Sequence, residues 1–83
     1  MSSEVVDSKI RSDIAANVRA ELARAGLRQS DVAQVFGTSR NAVSLKLLAK
    51  VSFRGEELVV IADLLGVPIT SLFPAPSRER VAA

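Results

Sequence analysis

The sequence predicts a small all-α domain, and three observations support this prediction. Apolar residues recur every three or four positions in several stretches, which is the spacing of a helix that buries one face. Isolated glycines follow those stretches, at the positions where helices end. No stretch alternates apolar and polar residues as a half-buried strand does. With 83 residues, the chain is expected to form one domain.

The N-terminal part is predicted to form an arm and one helix. Residues 1–11 are polar, mixed in charge and without a sustained period, so we expect a flexible arm. The first helix is expected at 13–25, with Ser12 as its cap and Gly26 at its end. Its apolar face is expected to consist of Ile14, Val18 and Leu22, with Leu27 folded back onto the last turn.

Two short helices with a minimal connection are predicted in the middle of the chain. The second helix is expected from about Gln29 or Ser30 to Phe36, and Gly37 breaks it. A third helix, capped by Thr38 or Ser39, is expected to reach about Leu48. Helices this short are stable only when they pack against the rest of the domain. The buried stripe of the second helix is expected to be Val32, Val35 and Phe36, with Ala33 between them.

A fourth helix and a final helical turn complete a prediction of five helices. Two carboxylates follow Gly55, where they suit the positive end of a helix, and Gly66 ends that helix. A short turn is expected at about 69–73, and the tail at 74–83 has no packing pattern and is expected to be flexible. The residues expected to point inward are Phe53, Leu58, Ile61, Ala62, Leu65, Ile69, Leu72 and Phe73.

The composition argues against several classes of protein. The chain has no Cys or His, so disulfides and the common nitrogen and sulfur metal ligands are missing. Tyr is absent too, and Glu56 and Glu57 are adjacent and so face different directions. We therefore expect no enzyme, no metal, no cofactor and no small-molecule ligand. No apolar run approaches the roughly 20 residues of a membrane span, and no signal segment is present, so we expect a cytoplasmic protein without a membrane partner.

Positive charge is concentrated in the middle of the chain. The net charge is +2, but residues 24–54 contain six Lys or Arg and one acid, Asp31, which gives +5 and leaves −3 elsewhere. No acid occurs at all from 32 to 55. This distribution is typical of a protein with one face that meets a polyanion. An ordinary solvated surface is the alternative.

The connection between the second and third helices carries a recognisable pattern. Ala33 is small enough for a close helix crossing, Gly37 can take the positive φ of a tight turn, and Val43 points into the core. With Gln29 and the downstream ELVVIADLLGVPITSLF, this pattern resembles the helix-turn-helix of phage repressor and Cro proteins, the lambda-repressor-like family. The resemblance covers about 12–73.

This resemblance implies a compact five-helix DNA-binding domain at 12–73 with its helix-turn-helix at helices 2 and 3. It further implies a transcriptional regulator that binds a double-stranded DNA operator, as a homodimer at least on DNA, in the bacterial host cytoplasm if phage-encoded. Two places depart from the family pattern. Lys46 stands where the family often has an apolar residue, and residues 48–50 lack the glycine that often follows the third helix.

Helical spacing predicts which residues of the third helix face outward. With Val43 inward, the opposite side carries Asn41, Ser44, Leu45 and Leu48, with Arg40 on a flank. Arg40 can donate two hydrogen bonds to guanine, and Asn41 can pair with adenine. Ser44 can reach a base edge or a phosphate. Leu45 can contact a thymine methyl, pack under the following loop or join a protein interface, whereas Leu48 is expected to pack.

The candidate contacts to the DNA backbone lie around this helix. In the family, the residue that corresponds to Gln29 binds the backbone at the start of the second helix. The other candidates are Arg28, Ser39, Lys46, Lys50 and Arg54. A second hypothesis is a helical protein-interaction module, such as an antitoxin or assembly adaptor. It rests on the aliphatic residues of the third helix and on Val59 and Val60, which look exposed and could instead form a homodimer contact.

Overall fold

The computed structural model describes residues 3–75, which form four α-helices and one turn of 3-10 helix. No strand occurs between residues 3 and 75. The predicted all-α class is therefore confirmed, but the predicted fifth helix is a single 3-10 turn. The elements are α1 (Ser3–Ala25), α2 (Gln29–Phe36), α3 (Arg40–Leu47), α4 (Gly55–Leu65) and the 3-10 helix (Ile69–Leu72).

One apolar core holds all five elements together. α1 contacts α3, α4 and the 3-10 helix, while α2 packs on α3 and α4 packs on the 3-10 helix. No polar or charged side chain is buried among the described residues. Burying each aliphatic side chain stabilises the fold by about 1.5–3 kcal/mol, so the small helices depend on this cluster. Its members are Val18, Leu22, Val32, Ala33, Val43, Leu47, Leu58, Ile61, Ala62 and Leu72.

The first helix is longer than the sequence pattern predicted. It begins at Ser3 rather than at residue 13, so Ser12 lies inside the helix and does not cap it. The predicted arm is therefore helical from residue 3 onwards. An ion pair one helical turn apart, between Lys9 Nζ and Asp13 Oδ2 at 3.4 Å, supports this extension. Residues 1 and 2, and 76–83 of the predicted tail, lie outside the described part of the chain.

Three apolar residues that were predicted to be buried are exposed. Val35 is 48% exposed because the buried arc of α2 is centred on its neighbours Val32 and Ala33. Leu48, at 60%, follows the last residue of α3, where Leu47 already fills the core position. Phe73 is 41% exposed because it leaves the 3-10 helix in an extended conformation. The packing predicted for Val35, Leu48 and Phe73 was wrong.

The chain enters and leaves α4 as the sequence predicted. Phe53 packs against the core just before the helix, and Gly66 ends it in a left-handed conformation.

Of the helices between residues 3 and 75, none combines the length and the apolar character required to cross a bilayer.

Candidate nucleic-acid interface

A three-residue turn sets the direction of α3 relative to α2. Gly37 has a φ of +69°, and the amide of Thr38 donates to the Ala33 carbonyl at 3.0 Å. These features close α2 and turn the chain sharply. Ser39 is extended, and its hydroxyl oxygen accepts a hydrogen bond from the amide of Ala42 at 3.1 Å. The serine is therefore the N-cap of α3. Only three residues thus separate the end of α2 from the start of α3.

The close contact of α2 with α3 depends on small and apolar side chains. Ala33 is buried at 4% exposure, and Val43 of α3 is fully buried. The predicted roles of Ala33, Gly37 and Val43 are therefore confirmed. This arrangement fixes one side of α3 against the core and leaves its opposite side in solvent.

α1 anchors the other end of α3. The guanidinium of Arg19 donates to the Leu47 carbonyl, the last residue of α3. Carbonyls at a helix C-terminus lack partners within the helix and carry partial negative charge, so a cation there both pairs with and stabilises the helix end. Arg19 could not be identified from the sequence, because nothing in the local pattern links it to a residue 28 positions away.

Lys46 connects α3 with its two neighbouring helices. Its ammonium is paired with the Glu57 carboxylate on α4, and the two side chains are only 16% and 18% exposed. The same ammonium lies 5.8 Å from the centre of the Phe36 ring on α2, within the range of a cation–π interaction. Lys46, predicted to contact a phosphate, is therefore engaged between helices and not presented on the outer surface.

Glu57 has a second task at the start of α4. Its other carboxylate oxygen, Oε1, accepts from the Arg54 amide at 2.8 Å and so caps the helix. Burial raises the pKa of Glu57, but the hydrogen bond from the Arg54 amide and the charge of Lys46 lower it more, so the pKa lies below 4.5. Glu57 is thus a paired carboxylate, and its negative charge is neutralised where α3 and α4 meet.

An unusual backbone conformation ends α3. Ala49 has a φ of +62°, the one positive value at a residue other than glycine between residues 3 and 75. The amide of Ala49 donates to the Lys46 carbonyl at 3.1 Å, and that of Lys50 to the Leu45 carbonyl at 2.9 Å. These two bonds form a Schellman motif, in which the position of Ala49 usually holds glycine. A strained alanine therefore fixes where the chain leaves α3.

The exposed side of α3 carries the predicted base-contacting residues. Arg40 and Asn41 are exposed in the first turn, and Ser44 is partly exposed one turn later. Leu45 is 38% exposed, also one turn after Asn41. Leu48 continues the same side. The structure brings the four predicted base contacts together on one outward face, which we call the α3 face: Arg40, Asn41, Ser44 and Leu45.

The remaining candidates for backbone contacts lie at helix starts and in the loop after α3. Gln29 is the exposed first residue of α2, and Lys50 and Arg54 are exposed in the 48–54 loop. Arg28 and Arg54 use their backbone amides in capping hydrogen bonds to Asp31 and Glu57, at 2.8 Å each, which leaves their exposed guanidinium groups available. Ser39 uses its hydroxyl oxygen to cap α3.

The extension of α1 reaches the loop that carries these cations. The guanidinium of Arg11 donates through Nε to the Ser52 hydroxyl at 2.8 Å. This bond ties the loop between α3 and α4 to α1, so Lys50 and Arg54 project from a loop with a defined anchor. The sequence signal that could have revealed it is weak, because Arg11 lies in the stretch without a sustained period.

The α3 face can bind through hydrogen bonds, apolar contact and positive charge. No group of three or more His, Cys, Asp or Glu that could hold a metal occurs in the part of the chain the structure describes.

No family model, no curated protein and no solved structure matches the chain.

Proposed function

We propose that the protein is a sequence-specific double-stranded-DNA-binding transcriptional regulator whose α3 lies in the major groove. The observation that carries the proposal is the α3 face. It combines Arg40 and Asn41 with no acid between residues 32 and 55. An ordinary solvated helix would carry carboxylates as well, and a carboxylate next to phosphates is repelled. The resemblance to lambda-repressor-like proteins supports the same function.

Each of the three polar residues of the α3 face has a role that its chemistry supports. Arg40 would donate two parallel hydrogen bonds to guanine O6 and N7, and Asn41 would pair with adenine N6 and N7. Ser44 would reach a base edge or a phosphate. These contacts are sensitive to position, since an error of about 1 Å breaks a bidentate pair. Arg19 holds α3 against α1, and Lys46 holds it against α2 and α4. These contacts support the precise placement of α3 that base recognition needs.

The DNA backbone would be held by the exposed polar and basic groups around the α3 face. Such contacts fix the register of a protein on the duplex but carry no sequence information. Lys46 is not among them, because its ammonium is paired with Glu57. We assign it instead to positioning α3. The proposed backbone contacts are Gln29, Arg28, Ser39, Lys50 and Arg54.

The proposal includes the stoichiometry that the family resemblance implies. Two copies would bind a two-fold symmetric operator, with half-sites about 10 base pairs apart so that both copies of α3 enter the same side of the duplex. The proposed location is the cytoplasm, and that of the bacterial host if the protein is phage-encoded. Val59 and Val60, both exposed on α4, are available for a contact between the two copies.

Selection of bound duplexes from a random pool tests the proposal. We expect one enriched motif with two symmetric halves, because a dimer with a fixed α3 face selects bases at a fixed spacing. Recovery of unrelated sequences, with equal affinity for all of them at moderate salt, would show charge-driven binding alone and would contradict sequence-specific recognition.

A second candidate function has one observation in its favour. α4 exposes Val59, Val60 and Leu64 at 49%, 37% and 39% on one side, and exposed apolar patches often mark protein interfaces. A helical protein-interaction module would use this side to bind another protein. Val60→Asp with no effect on DNA selection, combined with loss of a host-protein complex, would favour that function.

A further inference from the structure

Leu45 and Leu48 make the α3 face partly apolar. They are 38% and 60% exposed, and Val51, just after them, is 44% exposed. These side chains contribute little to the core, although burying an exposed leucine would normally stabilise a small domain. Leu45 and Leu48 lie on the same side of α3 as Asn41, where an apolar group of a partner outside the chain would cover them.

The position of Leu45 is fixed by its backbone. Its carbonyl accepts from the amides of Lys50 at 2.9 Å and Val51 at 3.3 Å, so the end of α3 holds it in place. Leu45 lies four residues after Asn41, which puts both side chains on one face and roughly 6 Å apart along the helix axis. A ligand that contacts one of them meets the other.

The charges around Leu45 narrow the choice of partner. No acid occurs from residue 32 to 55, and Lys50 and Arg54 are exposed in the adjoining loop. A protein partner with an apolar patch does not require this exclusion of acids, whereas a duplex does. The one apolar group on the base edges of the major groove is the C5-methyl of thymine.

We infer that Leu45 selects thymine in the bound duplex by contacting its C5-methyl group, an inference that rests on the proposed function. The separation of roughly 6 Å along α3 places this thymine in the same half-site as the adenine contacted by Asn41. Leu48 continues the apolar strip toward the edge of the groove.

Replacement of thymine by deoxyuridine tests the inference, because it removes one methyl group and leaves every hydrogen-bonding group in place. Each thymine of the selected duplex is replaced in turn, and the affinity is measured by fluorescence anisotropy. At one thymine per half-site we expect an affinity loss of about four-fold, the factor that corresponds to burying one methyl-sized group. For Leu45→Ala we expect the duplex with thymine and the duplex with deoxyuridine at that position to bind with equal affinity.

Two variants serve as matched controls. Val35→Ala removes an exposed valine, 48%, from α2 and outside the α3 face, and should keep the four-fold preference. Leu45→Met keeps an apolar side chain at this position and should therefore keep most of the preference for thymine over deoxyuridine. Thermal unfolding of all three variants close to the wild-type temperature shows that folding is intact.

The outcomes separate this inference from the function on which it rests. If a motif is selected but deoxyuridine costs nothing at any position, or if Leu45→Ala keeps the preference, thymine selection by Leu45 is wrong and DNA recognition stands. If no motif is selected, both fail. An α3 face that binds a protein instead of DNA would give that second result.

Discussion

Lys46 of α3 and Glu57 of α4 form an ion pair that joins the last turn of the candidate recognition helix to the first turn of the next helix. The pair is partly buried, and Glu57 also accepts the Arg54 amide at 2.8 Å. Phe36 of α2 lies beside the ammonium of Lys46. One lysine of α3 thus contacts both α2 and α4, and the stability of the fold should respond to its removal.

We predict that Lys46→Ala lowers the free energy of unfolding by about 1–2 kcal/mol, since it leaves a partly buried carboxylate without its partner. Urea denaturation at neutral pH measures this change. Lys50→Ala is the matched control, because Lys50 is exposed in the loop after α3, and it should stay within about 0.5 kcal/mol of the wild type. Equal losses in both variants would show that the Lys46–Glu57 pair contributes nothing specific.

The ionisation of Glu57 should make part of the stability depend on pH. Its pKa is lowered below 4.5 in the folded protein, so its contribution is fully present above about pH 4.5 and is lost as the pH falls through the lower folded-state value. We therefore expect Glu57→Gln to be less stable than the wild type at neutral pH, and the difference to shrink as the pH falls below about 4.5.

Unfolding of both proteins from neutral pH to about pH 3 measures this difference. Glu56→Gln, which removes the exposed neighbouring carboxylate, is the control and should not show this pH-dependent difference in stability from the wild type. A difference between wild type and Glu57→Gln that stays constant, or grows, on acidification is incompatible with a lowered pKa.

Ala49→Gly should stabilise the protein. The left-handed conformation of residue 49 costs about 1–2 kcal/mol for any residue with a Cβ, and glycine avoids this cost. Part of that advantage is offset because glycine loses more conformational entropy on folding. We expect a net increase of about 0.5–1 kcal/mol in the free energy of unfolding, which would raise the melting temperature by about 2–8 °C.

The reverse substitution provides the comparison for Ala49. Gly37 has nearly the same φ, +69°, and a Cβ placed there meets nothing within 4 Å, so Gly37→Ala tests the backbone alone. It should cost about 0.5–1 kcal/mol. A loss of stability in Ala49→Gly would mean that the alanine methyl makes a contact that outweighs the backbone strain.

Local sequence patterns predicted the elements that are set by local chemistry. The bounds of α2 and α4, the Ser39 cap and the left-handed Gly37 follow from apolar periodicity and from turn residues, both of which act within a few positions. The outward position of Arg40 and Asn41 follows from the same periodicity.

Long-range contacts could not be predicted in this way. Glu57 lies 11 residues from Lys46, and Arg19 lies 28 from Leu47, so no helical period relates either pair. One clue was available for Lys46: the proteins that the sequence resembles often have an apolar residue there, which indicates a position next to the core. The start of α1 at Ser3 was missed because residues 3–11 have no apolar period to mark a helix.

The most direct test of the central claim compares the affinities of a selected duplex and a scrambled one for the wild type, Arg40→Ala and Lys50→Ala. Arg24→Ala, which removes an exposed arginine paired with Glu21 on α1, is the control and should bind like the wild type. The dependence of each affinity on salt concentration is measured in the same titrations.

We predict that Arg40→Ala weakens binding to the selected duplex by about 1–3 kcal/mol and binding to the scrambled duplex far less, because it removes a contact to a base. Lys50→Ala should weaken binding to the selected and the scrambled duplex alike. It should also make the fall of affinity with salt concentration less steep, by the amount that corresponds to about one phosphate contact. If Arg40→Ala retains the wild-type preference for the selected duplex, α3 does not recognise the bases, and the proposed function is contradicted.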